Sequence, residues 1–276
     1  MRIVVCANQV TVAVAKALVK RDESARTTFV LYSPDRCDIA DLLELNVMCI
    51  PFTRRLSCLF LILRCRLAGK VEICVPHYKF GRSLIWLSRL CSRVSLIDDG
   101  LDTFREVPRN VEPEKFEPGT TYYTFQYPSR LGRWLVRFQT EPVANIETLA
   151  DIRRQAVDFE RFDDVVIESP PIQRVLDRLP LSGKRSLFVA HSNVNKRVIS
   201  SVDCESIMGA NIALEKSLST FTGRLIVGES MIAVFALMYS DPKYTLVVYL
   251  ARENRDILLP LIEIIESKSF AELILC

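Results

Sequence analysis

Two short apolar runs, Val71-Glu72-Ile73-Cys74-Val75 and Val94-Ser95-Leu96-Ile97-Asp98-Asp99-Gly100, flank a helix-length stretch near 82 to 92 and set the architecture. A run that is apolar at nearly every position is buried on both faces, as a parallel strand covered by helices is. The same alternation runs through the rest of the chain. Upstream, strands read Ile3-Val4-Val5-Cys6-Ala7, Thr28-Phe29-Val30-Leu31-Tyr32 and Val47-Met48-Cys49-Ile50, with helical candidates near 10 to 20, 38 to 45 and 55 to 68. From about 101 to 130 the periodicity stops in a stretch rich in Pro, Glu, Thr and Tyr, which predicts an irregular loop or lid. It resumes with Val165-Val166-Ile167, a helix from Pro171 to Arg178 and the strand Ser186-Leu187-Phe188-Val189-Ala190. A helical stretch near 203 to 219, the strand Arg224-Leu225-Ile226-Val227, a helix over 231 to 239, the strand 244 to 250 and a last helix over 254 to 267 complete the pattern. The expected fold is α/β: two Rossmann-like domains, 1–140 and 141–276, with parallel sheets facing a central cleft.

Composition narrows the chemistry. The chain has 276 residues, 49% hydrophobic and 25% charged, ordinary values for a folded protein. Only two histidines occur, His77 and His191, so neither an H-E-x-x-H zinc helix nor a three-histidine site can form. Nine cysteines, without a C-x-x-C pair and with Cys6, Cys49 and Cys74 inside strand-like runs, read as reduced thiols of a cytoplasmic protein. A net charge of +3 does not call for nucleic acid. The arginines are grouped, however: Arg54, Arg55, Arg64 and Arg66 flank or interrupt Leu56-Ser57-Cys58-Leu59-Phe60-Leu61-Ile62-Leu63, and Arg130, Arg133 and Arg137 surround Trp134-Leu135-Val136. The first stretch is too short to span a bilayer, and the chain opens on a strand where a signal peptide would be. The expectation is an unsecreted soluble protein in peripheral contact with the inner face of a membrane. Helix packing with a solvated basic rim is the alternative reading of both stretches.

Ligands of open α/β sheets bind outside the carboxyl ends of the strands, and three such ends carry chemistry. Ile97 is followed by Asp98-Asp99-Gly100, where two adjacent carboxylates cannot both enter the core. A carboxylate exposed there can take a proton from a hydroxyl; an Asp-Gly turn or helix cap is the plainer alternative. Ala190 is followed by His191, whose imidazolium could stabilise a leaving phosphate, or which simply closes the strand with a hydrogen bond. Val227 is followed by Gly228-Glu229-Ser230 and a strongly apolar helix. Ser230 suits a helix N-cap, and the helix start offers N–H groups and a positive dipole end to a phosphate. Glu229 would repel that anion unless its carboxylate is turned toward a ribose or another polar group.

In this order the three strand ends resemble the D/E-D-G, His-Pro and Ser-Ser/Thr motifs of bacterial sialyltransferases and polysialyltransferases of the GT-B type. Asp98-Asp99-Gly100 matches the first motif in full, His191-Ser192 keeps the histidine and loses the proline, and Ser230-Met231 keeps one hydroxyl of two. The resemblance implies a GT-B-like fold, with 1–140 on the acceptor side and 141–276 binding the nucleotide sugar. It also implies an inverting, metal-independent transferase that moves sialic acid, or Kdo, from a CMP-sugar to a saccharide or lipid-linked saccharide, without a cofactor. Asp98 would be the base, His191 and Ser192 would meet the CMP phosphate, and Gly228, Glu229 and Ser230 would hold the donor. Asn8 and Gln9, ending the first strand, join Asp99 and Gly100 as acceptor-side candidates, with a polar turn as the alternative for Asn8-Gln9; His77 is a minor one. Two other readings stay open: a GT-B transferase using a UDP- or GDP-sugar, which would recruit Arg197 and Glu229, and a non-catalytic nucleotide-sugar-binding subunit. A dinucleotide-dependent oxidoreductase is disfavoured, because Cys6-Ala7-Asn8-Gln9-Val10-Thr11 contains no G-x-G-x-x-G.

Overall fold

The computed structural model describes residues 1–23, 25–31, 48–51, 60–61, 63–64, 67, 69–76, 91–98, 100–109, 112–128, 130–145, 148, 158–167, 179, 181, 185–190, 205–208, 217–239 and 242–276. The chain divides into two compact units. The first comprises 1–103, 107–127 and 132–153; the second comprises 104–106, 128–131 and 154–276.

The first unit is built on β1 (Arg2–Cys6), α1 (Gln9–Arg21), β2 (Thr27–Leu31), β3 (Met48–Pro51), β4 (Glu72–Pro76), β5 (Arg93–Ile97), β6 (Thr121–Phe125) and β7 (Gln139–Ala144). Its seven strands are all parallel, in the order β3-β2-β1-β4-β5-β6-β7. The first six positions follow the doubly wound order, whose direction reverses between β1 and β4. Burial explains why these runs pair: Ile3, Val4, Val5, Ile73, Cys74, Val75, Leu96 and Ile97 have lost essentially all contact with solvent. Helix α1 starts where Asn8 stops the first strand. Asn8 Oδ1 accepts from the Thr11 amide at 3.0 Å, and Thr11 Oγ1 accepts from the Asn8 amide at 3.0 Å, a reciprocal cap. Such a cap contributes about 1 kcal/mol.

The second unit repeats the plan with β8 (Asp164–Ile167), β9 (Ser186–Ala190), β10 (Glu205–Met208), β11 (Arg224–Gly228), α2 (Met231–Met238), β12 (Thr245–Leu250), α3 (Leu259–Glu266) and β13 (Ala271–Leu275). Its six parallel strands run β10-β9-β8-β11-β12-β13, again reversing after the first strand of the unit. Val166, Phe188, Ile226, Val247 and Tyr249 form one core cluster with Cys276. Asp164, fully buried at the start of β8, is paired with Arg224 Nε at 2.7 Å across the β8–β11 ladder. Without that partner the buried charge would be expensive.

Several expectations are corrected. The stretch 101 to 130 is not one irregular loop, because Thr121–Phe125 is a fully buried strand paired with β5 and β7. Its β-branched and aromatic residues favour a pleated, packed surface, and the Pro and Gly beside it hide that signal. The boundary at 140 would cut β7, and the first unit instead runs on to 153. Pro142 marks β7 as an edge strand. Glu205–Met208 is a strand where a helix over 203 to 219 was expected, and the chain ends on β13 rather than on a helix. The helical candidates near 38 to 45 and 171 to 178 lie outside the described residues, as does nearly all of 82 to 92.

Candidate functional site

In the first unit Asp98 follows β5 directly and is completely buried. Its Oδ1 accepts from the Gly100 amide at 3.1 Å and from Thr103 Oγ1 at 2.8 Å. Its Oδ2 accepts from Thr124 Oγ1 at 3.1 Å and from the Tyr127 phenol. The Tyr122 hydroxyl lies 2.8 Å from Thr103 Oγ1 and extends the network one step. Four donors fill the acceptor capacity of a carboxylate. Burial pushes the Asp98 carboxyl up, the bonds from Tyr127, Thr103, Gly100 and Thr124 pull it back, and the balance stays above the ordinary aspartate value. Burial and the adjacent Asp98 charge hold the Tyr127 phenol well above its usual range, so it remains a donor. Gly100 sits at φ 157°, a conformation that favours glycine, and its amide can therefore turn back onto Asp98.

In the second unit β11 ends at Gly228, beside the point where the strand order reverses. Both oxygens of Glu229 are engaged: Oε1 with Arg105 Nη2 at 2.5 Å, Oε2 with Asn254 Nδ2 at 2.5 Å. Arg105 neutralises the charge that would otherwise repel an anion, which removes the electrostatic difficulty seen in the sequence. Ser230 occupies the N-cap of α2 in an extended conformation, yet its hydroxyl makes no capping bond. The Ser230 Oγ atom is buried and has no hydrogen-bond partner among the described residues. Of the first-turn amides of α2, that of Ala233 donates to the Ser230 carbonyl at 3.2 Å, while those of Met231 and Ile232 come too early in the helix to find an intrahelical acceptor. The end of β11 therefore presents a hydroxyl and a helix terminus with donor capacity to spare.

The sequence-derived candidates are distributed as follows. Asp98 and Gly100 share one network, and Gly228, Glu229 and Ser230 share another. The Asn8 side chain is given to the α1 cap, the polar-turn alternative; Gln9 is the first residue of that helix. His77, Asp99, His191 and Ser192 lie outside the described residues. Sequence reasoning missed Thr103, Thr124 and Tyr127 around Asp98, and Arg105 and Asn254 around Glu229. Arg105 is 124 residues from Glu229, and no local spacing announces that pair. A cavity of about 680 Å³ lies elsewhere, at the amino ends of β5 and β6, between Arg93, Lys115, Phe116 and Gly119. Strand polarity argues against it as the principal site.

Comparison with solved structures bears on this arrangement. The chain matches an α/β-galactoside α-2,3-sialyltransferase from the luminous marine bacterium Photobacterium phosphoreum with a TM-score of 0.60, over 99% of this chain and 97% of that one, at 10% identity. The fold is GT-B-like. MurG of Acinetobacter baumannii also matches, with a TM-score of 0.46 at 10% identity over 99% of this chain and 85% of that one, too slight a likeness to carry an argument. No protein-family model and no curated protein matches the chain. At 10% identity the likeness establishes the two Rossmann-like parallel sheets and leaves the chemistry to the residues.

Proposed function

We propose that this chain is an inverting, metal-independent glycosyltransferase that moves sialic acid, or a related acidic sugar such as Kdo, from a CMP-sugar to a saccharide hydroxyl. The setting would be synthesis of a surface polysaccharide such as a capsule, or of lipooligosaccharide. The observation that carries the reading is the buried Ser230 hydroxyl at the N-terminus of α2, without a partner among the described residues, beside a glutamate whose charge Arg105 already balances. The group that departs from a CMP-sugar is CMP, a single phosphate monoester, and one helix terminus with a hydroxyl can meet that charge without a metal. His191 and Ser192 are assigned to the same phosphate by the motif resemblance.

Asp98 takes the proton as the acceptor oxygen bonds to the anomeric carbon and the bond from that carbon to the CMP phosphate breaks. Since four donors already fill its lone pairs, the acceptor hydroxyl has to replace one of them. Tyr127 fits that exchange best, as the only partly exposed side chain among the three hydroxyl donors. A carboxyl held above its ordinary value is also a stronger base once ionised.

Nucleotide competition tests the reading. CMP at saturating concentration is expected to raise the melting temperature by several degrees, in EDTA as in buffer, with UDP and GDP without effect. Ser230→Ala should weaken CMP binding by about tenfold to a hundredfold, the worth of a hydrogen bond to a charged group. Protection by UDP or GDP in place of CMP would move the donor to a sugar diphosphate, and no protection by any nucleotide would overturn the phosphate assignment.

A further inference from the structure

The first unit carries an apolar surface that its own packing does not use. Residues 60, 61, 63, 64 and 67 are helical. Leu61 is 1% exposed and holds this segment to the unit, whereas Phe60, Leu63 and Leu67 are 54%, 58% and 80% exposed. Positions 60, 63 and 67 recur at the i, i+3, i+7 spacing of one helix face. The three large exposed side chains therefore form a stripe rather than scattered points, and Arg64 follows Phe60 by one helical turn.

Along the sequence of this segment the charge has a single sign. Between Glu44 and Glu72 the sequence holds Arg54, Arg55, Arg64, Arg66 and Lys70 and no aspartate or glutamate. In a chain whose total net charge is +3, this one segment contributes five positive charges, so acidic residues elsewhere offset it. An apolar stripe of Phe and Leu in a segment whose sequence carries arginines and no carboxylate matches the boundary between acyl chains and anionic headgroups. The basic stretch around Trp134 is tied into the protein. Arg130 is tied to Glu106 and by two bonds of 2.9 Å to Glu263, Arg137 donates to the Phe116 carbonyl at 3.0 Å, and Leu135 is buried, leaving Val136 as its exposed large apolar residue. Among the described residues no helix is long and apolar enough to cross a membrane.

We propose that the face bearing Phe60, Leu63 and Leu67 docks this protein peripherally on a bilayer rich in anionic phospholipid. The three apolar side chains enter the acyl boundary, and the arginines of the same segment contact lipid phosphates. This inference stands apart from the nucleotide-sugar reading, because lipid binding is read with no nucleotide present.

Vesicle co-sedimentation of the full chain provides the test. Vesicles of phosphatidylcholine with about a quarter phosphatidylglycerol should pellet the protein, and pure phosphatidylcholine should pellet much less. Raising salt from about 0.1 M to about 0.5 M should release much of it, as screening requires. Joint replacement Phe60→Ser, Leu63→Ser and Leu67→Ser should weaken binding about tenfold or more. Arg64→Gln with Arg66→Gln should cost about fivefold for each charge removed. The melting temperatures of both variants report whether they fold, and the lipid-composition and salt arms need no variant. Wild-type protein that stays in the supernatant with anionic vesicles, or binds both vesicle types equally, overturns the proposal. So does a lipid-free dimer that the triple replacement dissolves, because the stripe would then belong to a second copy of the chain.

Discussion

Asp98 and Ser230 sit at the ends of their strands in opposite conditions: the carboxylate has four donors, and the hydroxyl has no partner among the described residues. A buried hydroxyl without a partner costs stability unless a ligand supplies one. Ser230 as an N-cap was legible in the sequence, because a serine before an apolar helix is a recognisable pattern. The neutralisation of Glu229 was not, since Arg105 and Asn254 reach it only through the tertiary fold. The burial of Asp98 was half legible: an Asp-Asp pair after a strand must split between inside and outside, but nothing local says which residue goes in. Tyr127→Phe probes this network directly. Removing a donor to a buried carboxylate should cost about 1–3 kcal/mol near neutral pH. The loss should shrink as acid protonates Asp98, because a neutral carboxyl needs the phenol less. The same substitution should move the acidic limb of the transfer rate to higher pH, since Tyr127 is one of the groups that lower the Asp98 value. Urea denaturation at several pH values and a pH–rate profile measure the two effects, and a loss independent of pH would mean that Tyr127 acts by packing alone.

Among the elements, strands that are apolar on both faces were readable and strands with mixed character were not. β1, β2, β4 and β5 lie within a residue or two of their expected positions, and β6, β7, β10 and β13 were missed. β7 is exposed or half-buried at every position but its last and contains Pro142, and β13 stays only partly buried, so neither produces a continuous apolar run. The inner strands of the first sheet also share a polar row. Glu72 on β4 accepts from Ser95 on β5 at 2.7 Å, Tyr123 on β6 at 3.2 Å and Arg2 on β1 at 3.0 Å. Burial pushes the Glu72 carboxyl up, but the bonds from Ser95 and Arg2 with the Arg2 and Arg93 charges outweigh it and leave it below its ordinary value. A depressed acid stabilises the fold above its unfolded value of about 4.3 and loses that contribution as pH falls through its folded value. Glu72→Gln should therefore destabilise the protein at pH 7, with a smaller difference from wild type at an acidic pH below the folded value of the carboxyl. Denaturant midpoints at the two pH values check this, and a constant difference would place the contribution of Glu72 in shape rather than charge.

Across the whole molecule, the strand order 3-2-1-4-5-6 occurs twice, once in each unit, and the candidate residues fall at the carboxyl ends of inner strands in both. Two α/β halves were legible from the alternation of apolar runs, since parallel strands need crossover connections and these leave a helix-length gap each time. The path of the chain was not legible. Segments 104–106 and 128–131 belong to the second unit although the sequence around them builds the first. Arg105 reaches Glu229 by that route, and Arg130 reaches Glu263. A local periodicity carries no trace of such excursions. A structure determined with CMP bound tests the assignment of the α2 terminus most directly. The expected result is a phosphate oxygen about 2.5–3.0 Å from Ser230 Oγ, with the Met231 and Ile232 amides at the start of α2 pointing at the same group. A nucleotide seated elsewhere, with the Ser230 hydroxyl still buried and away from phosphate, would contradict it.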